Sequence, residues 1–223
     1  IVYGFVQPYD FSTAPLFRAG LIKTGTGEHV LLFDMHHVLT DGTSRGVMIR
    51  EFMSIYAGNS LEPLHLQYKD YSQWMRGELQ EKALKQQEKY WLDRFAGEIP
   101  TLPLPYDFPR PEVQSFEGNR AGFVMDKKDA DGLRQLADRI DGSLFMVVLA
   151  VYNVLLWRLS GREDILVGTP IAARRHADLE PIIGMFVNTL VMRNRPAGDM
   201  PFKEFLEQVK KDTLDGFENQ EYP

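Results

Sequence analysis

The chain has 223 residues, of which 44% are hydrophobic, and its formal net charge is −6. This length and composition allow one or two domains with a sizeable buried core. The acidic balance and the scattered Lys and Arg residues argue against nucleic-acid binding. The absence of cysteine excludes disulfides and a thiolate nucleophile. The N-terminus has no signal-peptide pattern and no Met, so we expect a cytoplasmic protein of which this chain is a fragment.

The first half of the chain predicts a hairpin followed by helices. The predicted elements are a loop at 9–15, strands at 16–23 and 29–34, and one long helix or two helices broken near Gly77 within 67–95. The sequence TGTG at 24–27 is typical of a hairpin turn. Gly42 allows a sharp turn, after which Thr43 and Ser44 cap a helix that stops near Gly58.

The second half opens with five prolines between residues 97 and 111, a density that is typical of a stiff, extended linker. The predicted elements after it are strands at 115–125, 165–171 and 186–193, helices at 126–140, 143–160 and 201–217, and a helical turn at 179–183. Ser143 is the expected cap of the apolar helix. The apolar run 144–156 is shorter than the roughly 20 residues that span a bilayer, so we predict no membrane segment.

Two histidines and a carboxylate follow the second predicted strand, where residues 35–44 read MHHVLTDGTS. An imidazole exchanges protons near neutral pH, and a nearby carboxylate can orient the ring or hold the loop. Adjacent residues of a strand point to opposite faces, so only one of His36 and His37 can face a given cleft. His and Asp are also metal ligands, but no further pair at ligand spacing accompanies them, and we predict no metal site. From the residues alone, a catalytic and a structural role both stay open.

This segment resembles the H-H-x-x-x-D-G signature of the condensation domains of nonribosomal peptide synthetases. Three more segments resemble motifs of that family, in the family's order: YKDYSQW at 68–74, IGMFVNTL at 183–190 with Arg193 beyond it, and NQEYP at 219–223. Four ordered motifs over most of the chain make the resemblance specific. Ser72 and Gln73 depart from the usual Ala and Val, and Ala173 stands where the family often has Gly. If that Gly has a positive φ angle, Ala173 is strained.

The resemblance implies an α/β fold, an α+β sandwich of two chloramphenicol-acetyltransferase-like lobes with the active site in a tunnel between them. Each lobe is then partly represented in this chain. Residues 1–97 correspond to the C-terminal part of the N-terminal lobe and residues 98–114 to the Pro-rich linker. Residues 115–223 correspond to the N-terminal part of the C-terminal lobe.

The resemblance also implies a reaction. An upstream carrier protein presents an aminoacyl or peptidyl thioester, a downstream carrier protein presents an amine, and the amine attacks the thioester carbonyl to form a peptide bond. The implied partners are the two carrier proteins and an adenylation domain in the same polypeptide. The phosphopantetheine arms belong to the carriers, so no cofactor of its own is expected, and the wording of the motifs favours an L-configured donor.

By the same resemblance, His37 faces the tunnel, either as general base or as a donor that positions the amine. His36 is structural, with its ring turned to the core. Asp41 holds the loop through an arginine that the family places in an upstream motif absent here, so Asp41 is predicted to be unpaired. Gly42 lets the backbone approach the tunnel. The residues expected to line the tunnel are Ser44 and Asn188.

Three other functions stay open within and beyond this family. They are an epimerisation domain, a coenzyme A-dependent acyltransferase that shares H-x-x-x-D, and a non-catalytic domain that recruits partner proteins. The G-x-F-V-N-T segment and the Asp41-Gly42 pair argue against epimerisation, and the carrier-type motifs beyond His37 argue against coenzyme A. The intact His36, His37 and Asp41 argue against a recruitment domain.

Overall fold

The structure, a computed structural model, describes residues 2–222, without the side chains of Val2, Tyr3, Glu78 and Leu79. Pro223, the last residue of the NQEYP segment, lies outside the described residues. The helices are α1 (Val2–Phe5), α2 (Gly42–Tyr56), α3 (Tyr68–Met75), α4 (Glu78–Arg94), α5 (Lys127–Arg139), α6 (Leu144–Ser160) and α7 (Phe202–Glu218). The strands are β1 (Phe17–Lys23), β2 (His29–Met35), β3 (Ile165–Ile171) and β4 (Asn188–Asn194). Within 2–222, β1 pairs with β2 and β3 pairs with β4.

The chain divides into two compact units. The first contains the residues up to 85 together with 170–188, and the second contains 86–169 together with the residues from 189 onward. The predicted boundaries at 97 and 115 do not coincide with these units. The Pro-rich segment 98–114 has no regular element, as predicted, and belongs to the second unit. Because residues 170–188 return to the first unit, most of the IGMFVNTL segment belongs to the same unit as the MHHVLTDGTS and YKDYSQW segments.

The hairpin of the first unit is formed as predicted. β1 and β2 are antiparallel, with Phe17 opposite Met35 and Lys23 opposite His29. The turn closes through a hydrogen bond from the Thr24 N–H to the Glu28 carbonyl at 3.0 Å, and Gly27 takes a φ of 78° that favours glycine. The chain therefore leaves β2 at the position where the two histidines begin.

Helix α2 begins differently from the prediction. Its N-cap is Asp41, whose carboxylate accepts a hydrogen bond from the Ser44 N–H at 2.8 Å. Thr43 and Ser44 do not cap the helix, because both already lie inside its first turn. Gly42 is the first helical residue and has no positive φ angle, so its conformation does not require glycine. Gly58, at a φ of 86°, follows the end of α2 as predicted.

Of the two arrangements that the sequence left open for 67–95, the structure has two helices, and the break near Gly77 separates α3 from α4. The YKDYSQW segment forms α3, whose Tyr68 hydroxyl donates to the Met185 carbonyl at 2.8 Å. The Tyr68 ring also packs edge-on against Phe186, with ring centroids 5.1 Å apart. Gly184 leaves room for this ring, since a Cβ there would lie 2.2 Å from Tyr68 Cδ2. Two of the motif segments therefore form one packed core in the first unit.

In the second unit, α6 packs against α5 and α7. The caps of α5 and α6 are Asp126 and Ser143, and α6 ends at Gly161 with a φ of 67°. Val147 and Val209 are fully buried in this core. Among the described residues no single helix is long and apolar enough to cross a bilayer; only α5 and α6 together, with a bend of 108° between them, reach that length and composition.

The NQEYP segment is bound to α4. The Trp91 indole N–H donates to the Asn219 carbonyl at 2.8 Å, and the Gln87 side-chain oxygen accepts from the backbone N–H groups of Glu221 and Tyr222 at 2.9 and 3.0 Å. These bonds fix the backbone that follows α7. This motif segment therefore has a structural role in the second unit.

The strand predicted at 115–125 is wrong. This segment has no regular structure, and its apolar side chains are exposed, with Phe116 at 94% and Val124 at 98%. A strand needs a neighbour for its backbone N–H and C=O groups, and within 2–222 no strand pairs with this segment. The local sequence predicted a strand but could not supply its partner.

We expect Gly184→Ala to destabilise the chain by about 1–3 kcal/mol, because the added methyl group collides with the Tyr68 ring. Urea unfolding followed by circular dichroism measures this loss. The matched control is Gly46→Ala in α2, where the added Cβ meets only the end of the Arg50 side chain at 3.6 Å. That control should gain up to about 1 kcal/mol from helix propensity. Equal effects of the two substitutions would contradict the packing described for Gly184.

Candidate active site

The two histidines lie just beyond β2, and His37–Leu39 form a single 3-10 turn. His36 Nδ1 accepts a hydrogen bond from the Val38 N–H at 3.1 Å, which stabilises this turn. The His36 ring is half-buried and packs edge-on against Phe11, with ring centroids 4.6 Å apart, and against Tyr9 at 6.1 Å. These contacts fit the structural role predicted for His36, although its ring packs on the 9–15 loop.

His37 is exposed and faces a cavity of about 380 Å³. The lining residues of this cavity are Phe33, Met35, His37, Thr40, Asp41, Gly42, Arg45 and Met48. The His37 backbone is fixed because its carbonyl accepts from the Thr40 N–H at 3.2 Å. In the part of the chain that the structure describes, no group hydrogen-bonds to the His37 ring. The His37 backbone is therefore held in position, and its imidazole is free to act on a molecule in the cavity.

Asp41 has an arginine partner, so the prediction that it is unpaired is wrong. Arg174 Nη1 donates to Asp41 Oδ2 at 2.8 Å and Arg174 Nη2 to Oδ1 at 3.1 Å, in a two-point ion pair whose side chains are both 3% exposed. Asp41 Oδ2 also accepts from the Phe186 N–H at 3.1 Å. A guanidinium matches a carboxylate at two points and fixes its orientation. Asp41 thus links the start of α2 to the 170–188 segment.

Ser44 does not line the cavity, which corrects its predicted role. It is fully buried, and its hydroxyl accepts from Arg174 Nη2 at 2.9 Å and from the Gly184 N–H at 3.0 Å. The same hydroxyl donates to the Gly184 carbonyl at 2.8 Å. Ser44 therefore completes the Asp41–Arg174 pair and satisfies the backbone beside it. Its side chain is part of the support of the His37 loop.

Arg174 is the functional residue that the sequence analysis missed. Its Nε donates to the Leu179 carbonyl and its Nη2 to the Ile182 carbonyl, both at 3.2 Å, and its guanidinium lies 4.2 Å above the Phe186 ring centroid. The preceding Ala173 has a φ of 48°, so the position does require the conformation that glycine favours. The signal was the family-like AAR sequence at 172–174, but nothing in its spacing indicates a partner 133 residues away.

The electrostatics of Asp41 follow from these contacts. Burial alone would raise the pKa of its carboxyl group, but the hydrogen bonds from Arg174, Ser44 and the Phe186 N–H outweigh burial and lower the pKa to about 2. Asp41 is therefore a carboxylate at any pH near neutrality, with its oxygens occupied by donors. A carboxylate in this state is suited to holding the loop and not to transferring protons.

Of the two remaining predicted residues, Gly42 lines the cavity and Asn188 does not. Gly42 lines the cavity, and an added Cβ would have no heavy atom within 4 Å, so its backbone is open to the cavity. Asn188 begins β4, is half-buried and is not among the residues that line the cavity. Arg45 and Met48 also line the cavity. They follow Gly42 at intervals of three residues, the spacing that places residues on one face of a helix, and this spacing could have identified them.

The low pKa of Asp41 predicts a pH dependence. Since about 2 lies below the ordinary 3.8, the ionised pair stabilises the fold fully above pH 4, and this contribution is lost as the pH falls from 4 through 2. We expect Asp41→Asn to be less stable than wild type at pH 7, and part of that gap, on the order of 2 kcal/mol, to disappear by pH 2. Urea unfolding of both proteins at pH 7, 4 and 2 measures this gap.

Asp93→Asn is the control for this comparison, because Asp93 is exposed on α4. It should change the free energy of unfolding by less than about 0.5 kcal/mol at each pH. A gap between wild type and Asp41→Asn that stays constant from pH 7 to pH 2 would contradict the low pKa.

Comparisons with known proteins place this site in a family. The family profile described as "Condensation domain" matches residues 4–223. Bacitracin synthase 3 of Bacillus licheniformis is 48% identical over 222 residues, and gramicidin S synthase 2 of Brevibacillus brevis is 50% identical over 219 residues. These matches cover 100% and 98% of this chain but only 4% and 5% of the two synthetases.

Solved structures agree with the sequence matches. The X-domain from teicoplanin biosynthesis is similar with a TM-score of 0.83 and 25% identity, over 99% of this chain and 52% of that domain. A four-domain nonribosomal peptide synthetase bound to AMP and glycine is similar with a TM-score of 0.77 and 28% identity, over 96% of this chain and 16% of that protein. The chain belongs to the condensation-domain family of nonribosomal peptide synthetases.

Proposed function

We propose that this chain carries the catalytic histidine of a condensation domain that forms a peptide bond. The observation that supports this most directly is the His37 imidazole, which faces the cavity without a hydrogen-bond partner among the described residues. The loop that bears it is fixed by the buried pair between Asp41 and Arg174. A free imidazole on a rigid loop is the arrangement that acid–base or positioning catalysis requires.

In the proposed reaction, the amine nitrogen of the acceptor attacks the carbonyl carbon of the donor thioester. The C–N bond forms, the C–S bond breaks, and the donor carrier leaves as a thiol that takes up the proton lost by the amine. The His37 imidazole acts on the amine, either by accepting its proton or by hydrogen-bonding to it and aligning it. No redox partner or metal ion is needed for this balance.

The proposed partners follow from the family. They are an upstream and a downstream carrier protein, with an adenylation domain in the same polypeptide. The phosphopantetheine arms of the carriers hold the two substrates, so the chain supplies the binding and alignment of those substrates. The reaction belongs to the biosynthesis of a peptide secondary metabolite, a proposal supported by the names of the relatives bacitracin synthase 3 and gramicidin S synthase 2. We also propose that it takes place in the cytoplasm.

A second candidate function is recruitment of a partner protein. It is favoured by the similarity to the X-domain of teicoplanin biosynthesis, which has also been solved in complex with OxyB, at a TM-score of 0.83 and 27% identity to this chain. The complete MHHVLTDGTS segment and the cavity beside His37 favour catalysis. The same experiment distinguishes the two functions.

That experiment uses the complete condensation domain that contains this chain, with both carrier proteins loaded, and follows dipeptidyl-thioester formation by mass spectrometry. We expect His37→Ala to reduce the single-turnover rate by roughly 10²–10⁴-fold, the usual contribution of a positioned acid–base group. His36→Ala removes the packing on Phe11 and the hydrogen bond from the Val38 N–H. It should lower the free energy of unfolding, while the folded variant keeps most of the wild-type rate.

His37→Gln separates the two roles of the imidazole. Glutamine can hydrogen-bond to the amine but cannot take its proton, so a general base predicts a rate as low as that of His37→Ala. A positioning role predicts a rate well above that of His37→Ala. Wild-type protein that binds both carriers without forming a peptide would support recruitment and contradict the proposed function.

A further inference from the structure

Arg45 brings a positive charge into the cavity beside His37. It lies in the first turns of α2, three residues after Gly42 and three before Met48, so all three residues share one face of the helix. Its backbone is fixed by a hydrogen bond from the Arg45 N–H to the Asp41 carbonyl at 3.1 Å. Arg45 therefore lines the cavity that His37 also lines, from a helix start whose backbone is fixed.

No carboxylate among the described side chains forms an ion pair with Arg45. The one acidic lining residue is Asp41, and its two oxygens are occupied by Arg174, by the Ser44 N–H and by the Phe186 N–H. The ion pairs of the described residues do not include Arg45. Arg174 and Arg45 thus differ in kind: Arg174 is buried and saturated, whereas Arg45 is exposed and available to a ligand.

The rest of the lining is apolar or uncharged. Phe33, Met35 and Met48 supply apolar surface, Thr40 supplies a hydroxyl group, and His37 supplies the imidazole. A guanidinium donates to a carboxylate at two points, and it does so more strongly where apolar side chains exclude water from part of the site. The lining as a whole is therefore suited to a side chain with an apolar stem and an anionic end.

We propose that Arg45 is a specificity-determining residue that binds the side-chain carboxylate of an acidic aminoacyl substrate in the His37 cavity. This inference rests on the proposed function, since it concerns a substrate of the same site. The carboxylate can come from the acceptor or from the donor aminoacyl group. Both sources have the same chemistry, and the experiment treats them in separate arms.

The experiment compares isosteric substrates in single-turnover assays with the complete condensation domain and loaded carriers. In the first arm the acceptor is glutamyl or glutaminyl and the donor is a neutral residue; in the second arm the two are exchanged. We expect wild type to favour glutamyl over glutaminyl by about tenfold or more in one arm, because the neutral amide cannot replace a charged two-point contact. The arm that shows the preference identifies the source.

The variants test the assignment to Arg45. Arg45→Gln should bring the glutamyl-to-glutaminyl rate ratio close to one, and Arg45→Glu should make lysyl better than glutamyl. Arg50→Gln is the matched control, because Arg50 is an exposed arginine of the same helix that does not line the cavity. Arg50→Gln should keep the wild-type ratio, and circular dichroism verifies that each variant is folded.

Several outcomes would overturn the inference. A wild-type ratio near one in both arms means that Arg45 does not select a carboxylate. A ratio that survives in Arg45→Gln assigns the selection to another residue. Equal loss of rate with glutamyl and glutaminyl substrates in Arg45→Gln points to a general effect on catalysis and contradicts a specificity role. If no substrate pair, acidic or neutral, yields a peptide, the proposed function itself fails, and the result is distinct from a failure of Arg45.

Discussion

The buried ion pair between Asp41 and Arg174 is the interaction on which the His37 loop and the first unit depend. Removing two charges from water is unfavourable, and such a pair is stable only when further hydrogen bonds satisfy its remaining atoms. Here Ser44, the Phe186 N–H and the carbonyl groups of Leu179 and Ile182 supply those bonds. The pair therefore selects one arrangement of the start of α2 against the 170–188 segment.

This constraint explains how the motif residues share the chemistry. Thr40 ends the His37 turn and Asp41, the next residue, caps α2, so the backbone that carries the imidazole is held beside a carboxylate that itself stays ionised. His36 fixes the same turn from its other side through the Val38 N–H. Among the motif residues that line the cavity, His37 supplies the imidazole, and Arg45 adds a charge to the same lining. Structural and reactive roles are divided among neighbouring residues.

The sequence predicted what local interactions determine. The helices α5 and α6 begin where Asp126 and Ser143 place a capping oxygen, and the hairpin of β1 and β2 follows from its turn. What it could not predict depends on residues distant along the chain. The strand expected at 115–125 has no partner in the described structure, and the arginine of Asp41 lies 133 residues after it. A local pattern shows that Asp41 needs a partner but not which arginine provides it.

The most direct test of this account is a double-mutant cycle on the buried pair. The free energy of unfolding is measured by urea titration at pH 7 for wild type, Asp41→Asn, Arg174→Met and the double variant. Breaking one partner of a buried pair typically costs about 3–5 kcal/mol. The account predicts that the double variant loses at least about 2 kcal/mol less than the sum of the single losses. Losses that add within about 0.5 kcal/mol would show that the two residues act independently and would contradict it.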